Sequence, residues 1–225
     1  MDIVLVRHAE PEWVKDGINY DNPPLTERGF KQAEMLAESL RGQSFSEFHV
    51  SPLVRAQQTA APLTNVLSAT PETSNWLEEI RSEIWHGTPA EKAEEAFRKV
   101  RTLPSQQRWI GLEGGETVRD FVDRIHLGAS IFLREHGISR IDSDLPVWDI
   151  EDDRGAIILV AHAGTNSVVI SHLLGLDTVP WEWDRFVLGH TSVTRIEAMK
   201  LGDGYTFCLS KLSDVEHLPN GMRTR

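Results

Sequence analysis

The stretch Met1-Asp2-Ile3-Val4-Leu5-Val6-Arg7-His8 decides how this chain folds. Ile3 to Val6 is an unbroken apolar run rich in β-branched residues. It is too short for a helix and predicts a strand covered on both faces, as in a parallel sheet. Arg7 and His8 follow at once, at the end of the strand where open α/β sheets bind their ligands. Taken alone, an Arg-His pair is only the polar stop of a strand. A second stretch of the same kind changes that. Ile157-Ile158-Leu159-Val160-Ala161 runs into His162, Ala163 and Gly164. Two buried strands, each ending in histidine, can bring both imidazoles to one edge of one sheet.

Working outward, the segments between these strands alternate helix and strand signals. Thr26 is placed to cap a helix whose apolar positions are Phe30, Ala33, Leu36, Ala37 and Leu40, ended near Gly42. Phe45 to Val50 reads as a strand. Ser51 as N-cap, with Pro52 in the first helical position, opens the next helix and sets Arg55 beside its N-terminus. Thr70 to Asn75 reads as a short strand, Pro89 to Arg101 as a helix, and Val118 to Glu135 as a longer one ended by Gly137. His190 to Ala198 and Tyr205 to Leu212 form a hairpin across Gly202-Asp203-Gly204. Residues 138–155 hold Asp142, Asp144, Asp149, Glu151, Asp152 and Asp153 and read as an acidic surface insertion. They lack the spacing of an EF-hand loop, so a solvated loop is expected, not a calcium site. The expected fold is a single α/β domain over residues 1–225, a three-layer α/β/α sandwich with a mostly parallel central sheet.

Composition narrows the function. The 225 residues carry 40% hydrophobic and 25% charged side chains, enough for a sizeable core, and a formal charge of −11. That charge argues against non-specific binding to nucleic acid or membrane surfaces. An anionic substrate would need a local cationic pocket, so arginines gathered at one point are informative. Cys208 is the only cysteine, which leaves no intrachain disulfide and no cysteine-based metal site. No membrane-length apolar run and no leader-like N-terminus is seen, and a cytoplasmic location is expected.

His8, His162, Arg7 and Arg55 around one point, between two helix N-termini, would match a phosphoryl group in charge and shape without a metal. A neutral imidazole can attack phosphorus, while the guanidinium groups and the second imidazole stabilise the equatorial oxygens. A carboxylic acid is still needed for the leaving oxygen. Zinc is the rival use of two histidines, but no His-x-x-x-His or Cys pair supplies a third ligand.

Several motifs, in order along the chain, resemble those of the histidine phosphatase superfamily, also called the phosphoglycerate mutase-like family. They are Leu5-Val6-Arg7-His8-Ala9-Glu10, Pro24-Leu25-Thr26-Glu27-Arg28-Gly29, Ser51-Pro52-Leu53-Val54-Arg55-Ala56-Gln57-Gln58-Thr59-Ala60, Gly115-Glu116-Thr117 and Val160-Ala161-His162-Ala163-Gly164. The resemblance implies a phosphoglycerate mutase-like fold. It implies His8 as the phosphorylated nucleophile, and Arg7, Arg55 and His162 as the phosphoryl-binding groups. Glu79 would be the acid/base in Leu77-Glu78-Glu79, with Glu78 pointing away. Glu83 stands where the family has a glycine and is the second candidate for that role. Ala9 replaces a glycine, a substitution the family admits. Val14 stands where mutases carry a phosphate-binding asparagine, which favours a phosphatase. The function so implied is a metal-independent phosphatase of histidine acid phosphatase type, acting on a small phosphorylated metabolite with no cofactor. The alternatives are a cofactor-dependent phosphoglycerate mutase and a non-catalytic binding module on the same fold. Specificity is expected in the loops carrying Trp13, Trp85, Trp109, Trp148 and Trp181, whose rings either bind an apolar or aromatic substrate moiety or belong only to the core. Nothing in these motifs speaks to oligomeric state.

Overall fold

Strand β1 (Asp2–Arg7) lies at the centre of the molecule, with Ile3, Val4, Leu5 and Val6 all essentially without solvent contact. The structure, a computed structural model, describes residues 1–152 and 154–225, with every side chain in them except that of Glu83. Along the chain β1 is followed by β2 (Val14–Lys15), β3 (Ile18–Asn19), α1 (Glu27–Ser39), β4 (Glu47–Val50), α2 (Val54–Leu67) and β5 (Glu72–Thr73). Then come α3 (Ala90–Arg101), α4 (Val118–Glu135), β6 (Ile138–Arg140), β7 (Trp148–Ile150), β8 (Ala156–Ala161), α5 (Ala163–Leu174), α6 (Glu182–Arg185), β9 (Val193–Leu201) and β10 (Gly204–Asp214).

Alternation along the buried strands divides the core in two. Ile3 and Leu5 of β1, with Ile157 and Leu159 of β8, face α4 and α5 and pack with Phe121, Ile125 and Ile170. Val4 and Val6, with Ile158 and Val160, face α1 and α2 and pack with Leu36, Ala56 and Leu63. Helices thus cover both sides of one sheet, the three-layer α/β/α arrangement expected.

The eight strands of that sheet run in the order β5-β4-β8-β1-β9-β10-β7-β6. β5, β4, β8 and β1 pair in parallel, while β9, β10, β7 and β6 extend the sheet antiparallel from β1. The parallel half carries the two strand-end histidines, and the whole sheet is mixed.

Residues 138–155 are no mere surface insertion. β6 and β7 pair as a hairpin at the sheet edge, and Ile138, Trp148 and Ile150 are buried in the α4/α5 core. Asp149 points out between Trp148 and Ile150, so an acidic residue here marks the outer face of a strand. Asp142 Oδ1 accepts the N–H groups of Asp144 and Leu145, both at 2.8 Å, and forms the turn. Asp153, counted in the same acidic run, lies outside the described residues.

Helix starts follow the sequence at Thr26 and Thr117, whose hydroxyls accept the N–H groups of Gly29 and Asp120. They differ at Ser51. Helix α2 begins three residues later, at Val54, and its N-cap Leu53 provides no side-chain bond. The Ser51 hydroxyl is committed elsewhere, to His162. No described helix is long and apolar enough to cross a membrane.

Candidate active site

Register brings the two histidines together. β1 and β8 pair with Arg7 opposite Ala161, so the next residue of each strand, His8 and His162, leaves the sheet at the same level. Their ring centroids are 5.1 Å apart. β4 pairs on the other side of β8 with Val50 opposite Val160, which sets Ser51 next to Ala161. Ser51 Oγ lies 2.7 Å from His162 Nε2.

The local bonding fixes which nitrogen of His8 faces the site. Its Nδ1 lies 2.7 Å from the carbonyl oxygen of Ala9. A carbonyl can only accept, so Nδ1 carries the hydrogen and Nε2 keeps its lone pair. Thr59 Oγ1 accepts the Ala9 N–H at 2.9 Å and donates to Arg55 O at 2.7 Å. The loop after His8 is thereby tied to α2.

Arg7 and Arg55 reach the same point from β1 and α2. Arg7 donates through Nη1 to Leu188 O at 2.6 Å and through Nη2 to His190 Nε2 at 3.1 Å. Arg55 is buried, and its guanidinium sits 4.6 Å from the centre of the Trp13 ring. Arg7 Nε, Arg55 Nε, Arg55 Nη1 and His162 Nδ1 are buried without a hydrogen-bond partner within the protein. Buried donors of this kind cost on the order of 1–3 kcal/mol each unless something accepts from them. A tetrahedral oxyanion is the group that would satisfy several at once.

Glu79 closes the site from the opposite side. Its Oε2 accepts the N–H of Gly164 at 2.9 Å, at the N-terminus of α5, and its Oε1 accepts its neighbour Ile80 N–H at 3.0 Å. Glu78 turns to Arg81 at 2.8 Å, as the sequence suggests for the partner of an inward-facing glutamate. The side chain of Glu83, the second acid/base candidate, lies outside the described residues.

Sequence reasoning missed three supports. His190 stands 5.6 Å from His8, ring to ring, and holds Arg7; its Nδ1 is 2.8 Å from Thr224 Oγ1. Gln32, fully buried, donates to Thr224 Oγ1 and Met222 O and accepts from Glu10 N, joining the C-terminal segment to the loop beyond His8. Arg124 forms two hydrogen bonds to the Glu116 carboxylate and donates to the carbonyls of Glu78 and Glu79, holding the segment that carries Glu79. Glu116 was visible as a motif residue. His190 and Arg124 carried no local signal.

Burial sets the charge states. It drives the His8 imidazole well below its usual value, helped by Arg55, His162 and Arg7; His162 moves the same way, through burial and then Arg55 and Arg7. Both rings are therefore neutral at neutral pH. His190 falls to about 3 through burial and the Arg7 charge. Arg7 and Arg55 fall to about 10 through burial, with Glu79 opposing, and remain cationic.

A groove leads to this cluster in two lobes of about 540 and 480 Å³, which share Trp13, Glu79, Arg81 and Phe97. Arg7, Glu79 and Gly164 line the first lobe, Arg55 the second; the two imidazoles lie behind them, almost fully buried. Among the expected tryptophans, Trp13 and Trp85 line the groove. Trp109 and Trp181 sit under Arg119 and Arg108. Trp148 belongs to the core instead, and Trp183, not singled out in sequence, lines the first lobe.

The sequence model of the histidine phosphatase superfamily (branch 1) matches residues 3–203, and the chain belongs to that family. A probable phosphoglycerate mutase of Yersinia pestis is 26% identical over 231 aligned positions, covering 97% of this chain and 95% of the relative. Phosphoserine phosphatase 1 of Hydrogenobacter thermophilus is 30% identical over 127 residues, 55% of this chain and 60% of that relative, so the match spans under two thirds of its length. Two solved structures share the fold. A mycobacterial glucosyl-3-phosphoglycerate phosphatase superposes with a TM-score of 0.70 at 21% identity, covering 94% of this chain and 98% of the other. The phosphoserine phosphatase of Entamoeba histolytica superposes with a TM-score of 0.68 at 20% identity, covering 97% and 99%.

The neutral buried histidines have a thermodynamic consequence. Unfolding exposes them, and their unfolded pKa is about 6.5. The unfolded chain then takes up protons below that pH while the folded chain does not, so stability falls as pH drops. Urea unfolding at pH 7.5 and 5.5 is expected to show a loss on the order of 1 kcal/mol for each of His8, His162 and His190. Equal stability at the two pH values would contradict the neutral assignment.

Proposed function

We propose that the protein is a phosphomonoester hydrolase working through a phosphohistidine on His8. The observation that carries this reading is the pair of imidazoles 5.1 Å apart beside two buried, partly unpartnered guanidinium groups. The His8 Nε2 lone pair attacks phosphorus in line, the N–P bond forms, and the ester P–O bond breaks. Arg7, Arg55 and His162 hold the equatorial oxygens and stabilise the charge that builds there. Glu79, as the carboxylic acid, gives its proton to the leaving alkoxide. As carboxylate it then takes a proton from water, whose oxygen attacks phosphorus, and the N–P bond breaks to release phosphate and free His8. No metal is needed, because the guanidinium groups supply the positive charge.

Hydrolysis is favoured over mutase action by the loop after His8. The groove does not separate the two readings. Its first lobe is lined by Trp13, Phe97, Val100, Trp183 and Val187, but also by Arg7, Arg81, Arg101, Arg108 and Arg225, the cationic walls that a doubly phosphorylated intermediate calls for. Val14 stands exposed on β2 and provides no hydrogen-bonding side chain. The substrate is a small phosphorylated molecule, and the Yersinia relative keeps the mutase as the reading to test against. A binding module that does no chemistry is disfavoured by the retention of nucleophile, cradle and acid together.

Two experiments test this. Enzyme quenched during turnover is expected to carry an acid-labile, alkali-stable phosphoryl group on His8, and His8→Ala to carry none and turn over nothing. Absence of the adduct, or full turnover by His8→Ala, would refute the covalent route; phosphate transfer to phosphoglycerate instead of water would assign a mutase. The second concerns Gly164. A Cβ there would stand 2.5 Å from Glu79 Oε1. Gly164→Ala is expected to push Glu79 aside and lower kcat for a poor alkyl leaving group by on the order of a hundredfold, with little effect on nitrophenyl phosphate. An equal loss for both substrates would remove Glu79 from the acid role.

A further inference from the structure

A second cluster of ionisable groups lies outside the catalytic groove. Glu47 and His49 stand two apart on β4 and so share the face turned toward α4. His136 follows the last turn of α4 and meets them. Glu47 Oε2 is 3.0 Å from His49 Nε2 and 2.5 Å from His136 Nε2, and all three ligand atoms lie within 4.8 Å of one another. Both histidines are buried, at 5% and 9% exposure.

We propose that Glu47, His49 and His136 form a binding site for a divalent transition-metal ion of the zinc class. Two imidazoles and one carboxylate are a recurrent zinc set, with a fourth position left for water. Ligand atoms about 2.0–2.1 Å from a tetrahedral ion are about 3.3 Å apart. Binding would therefore move Glu47 Oε2 about 0.3 Å further from His49 Nε2 and about 0.8 Å further from His136 Nε2. It would also bring the two ring nitrogens, which lie within 4.8 Å of each other, to that same spacing. The outer nitrogens are already engaged in the way metal-binding histidines require. His136 Nδ1 donates to Phe132 O at 2.6 Å, which turns Nε2 toward the cluster, and His49 Nδ1 lies 3.1 Å from Ser74 Oγ. Phe132 packs edge-on against His49 and fixes its plane. A cavity of about 380 Å³ opens on the cluster and offers a path for the ion, with Glu72 and Glu135 on its wall.

Such an ion would tie the parallel edge of the sheet to the end of α4. It would be separate from phosphoryl transfer, since none of its ligands belongs to the cradle. It would act on stability, and β4 leads directly into Ser51, whose hydroxyl bonds to His162.

The test uses the full chain, stripped with chelator and titrated with Co²⁺ and then Zn²⁺. One equivalent of Co²⁺ is expected to give the visible bands of a four- or five-coordinate ion, in the wild type and in His8→Ala alike. Glu47→Gln and His136→Gln are expected to lose the bands while keeping their circular dichroism and their phosphatase turnover. Zn²⁺ is expected to raise the Tm of the wild type and not of Glu47→Gln. Should either variant fail to fold, imidazole ¹⁵N shifts in the wild type decide. Movement of His49 and His136 Nε2 on adding one equivalent of Zn²⁺ supports the site. Absence of stoichiometric binding, or movement confined to His8, His162 and His190, overturns it and leaves Glu47 as a hydrogen-bonded clasp between two histidines.

Discussion

Everything at the candidate active site depends on the register of one pair of strands. β1 and β8 are 154 residues apart at their paired starts, Asp2 opposite Ala156, and run in parallel with no slip to Arg7 opposite Ala161. A shift of one residue would turn each apolar side chain to the wrong core and move one histidine out of reach of the other. The hydrophobic pattern that builds the two cores therefore also aims the chemistry. Ser51 obeys the same constraint from β4, and reaches His162 because Val50 pairs with Val160.

The site is cationic in a protein of net charge −11. The arrangement works because the positive groups are buried and the negative ones are mostly at the surface. Burial alone would penalise Arg7 and Arg55, and Glu79 offsets part of that penalty by its charge. The same burial keeps the His8 imidazole neutral, with its Nε2 lone pair free, at pH values where a surface histidine would be substantially protonated. One physical condition, burial of the site's floor, thus sets a neutral imidazole beside two guanidinium groups.

Much of this was legible in sequence because it rests on local patterns. Apolar runs ending in Arg-His and His marked the two strands, Thr26 marked the start of α1, and the apolar spacing from Val118 marked α4. What escaped depended on contacts made across the fold. Ser51 has the chemistry of an N-cap, but tertiary pairing gives its hydroxyl to His162 and delays α2 to Val54. Residues 138–155 read as solvated because six acids are scattered among as many apolar residues; the period-2 burial of Trp148 and Ile150 was too short to stand out. His190 looks like any strand-leading histidine until Arg7 and Thr224 are placed on its two nitrogens. Arg124 is one of several helix charges until it reaches the carbonyls behind Glu79. The sheet was expected mostly parallel from its two buried runs, and the antiparallel half follows from the β9–β10 hairpin adding to β1.

A crystal structure with orthovanadate bears on the central claim most directly, because vanadate takes the place of the phosphoryl group in flight. The account predicts vanadium bonded to His8 Nε2, with its oxygens accepting from Arg7, Arg55 and His162 and one apical oxygen facing Glu79. Vanadate bound elsewhere in the groove, with His8 Nε2 beyond bonding distance of vanadium, would contradict it.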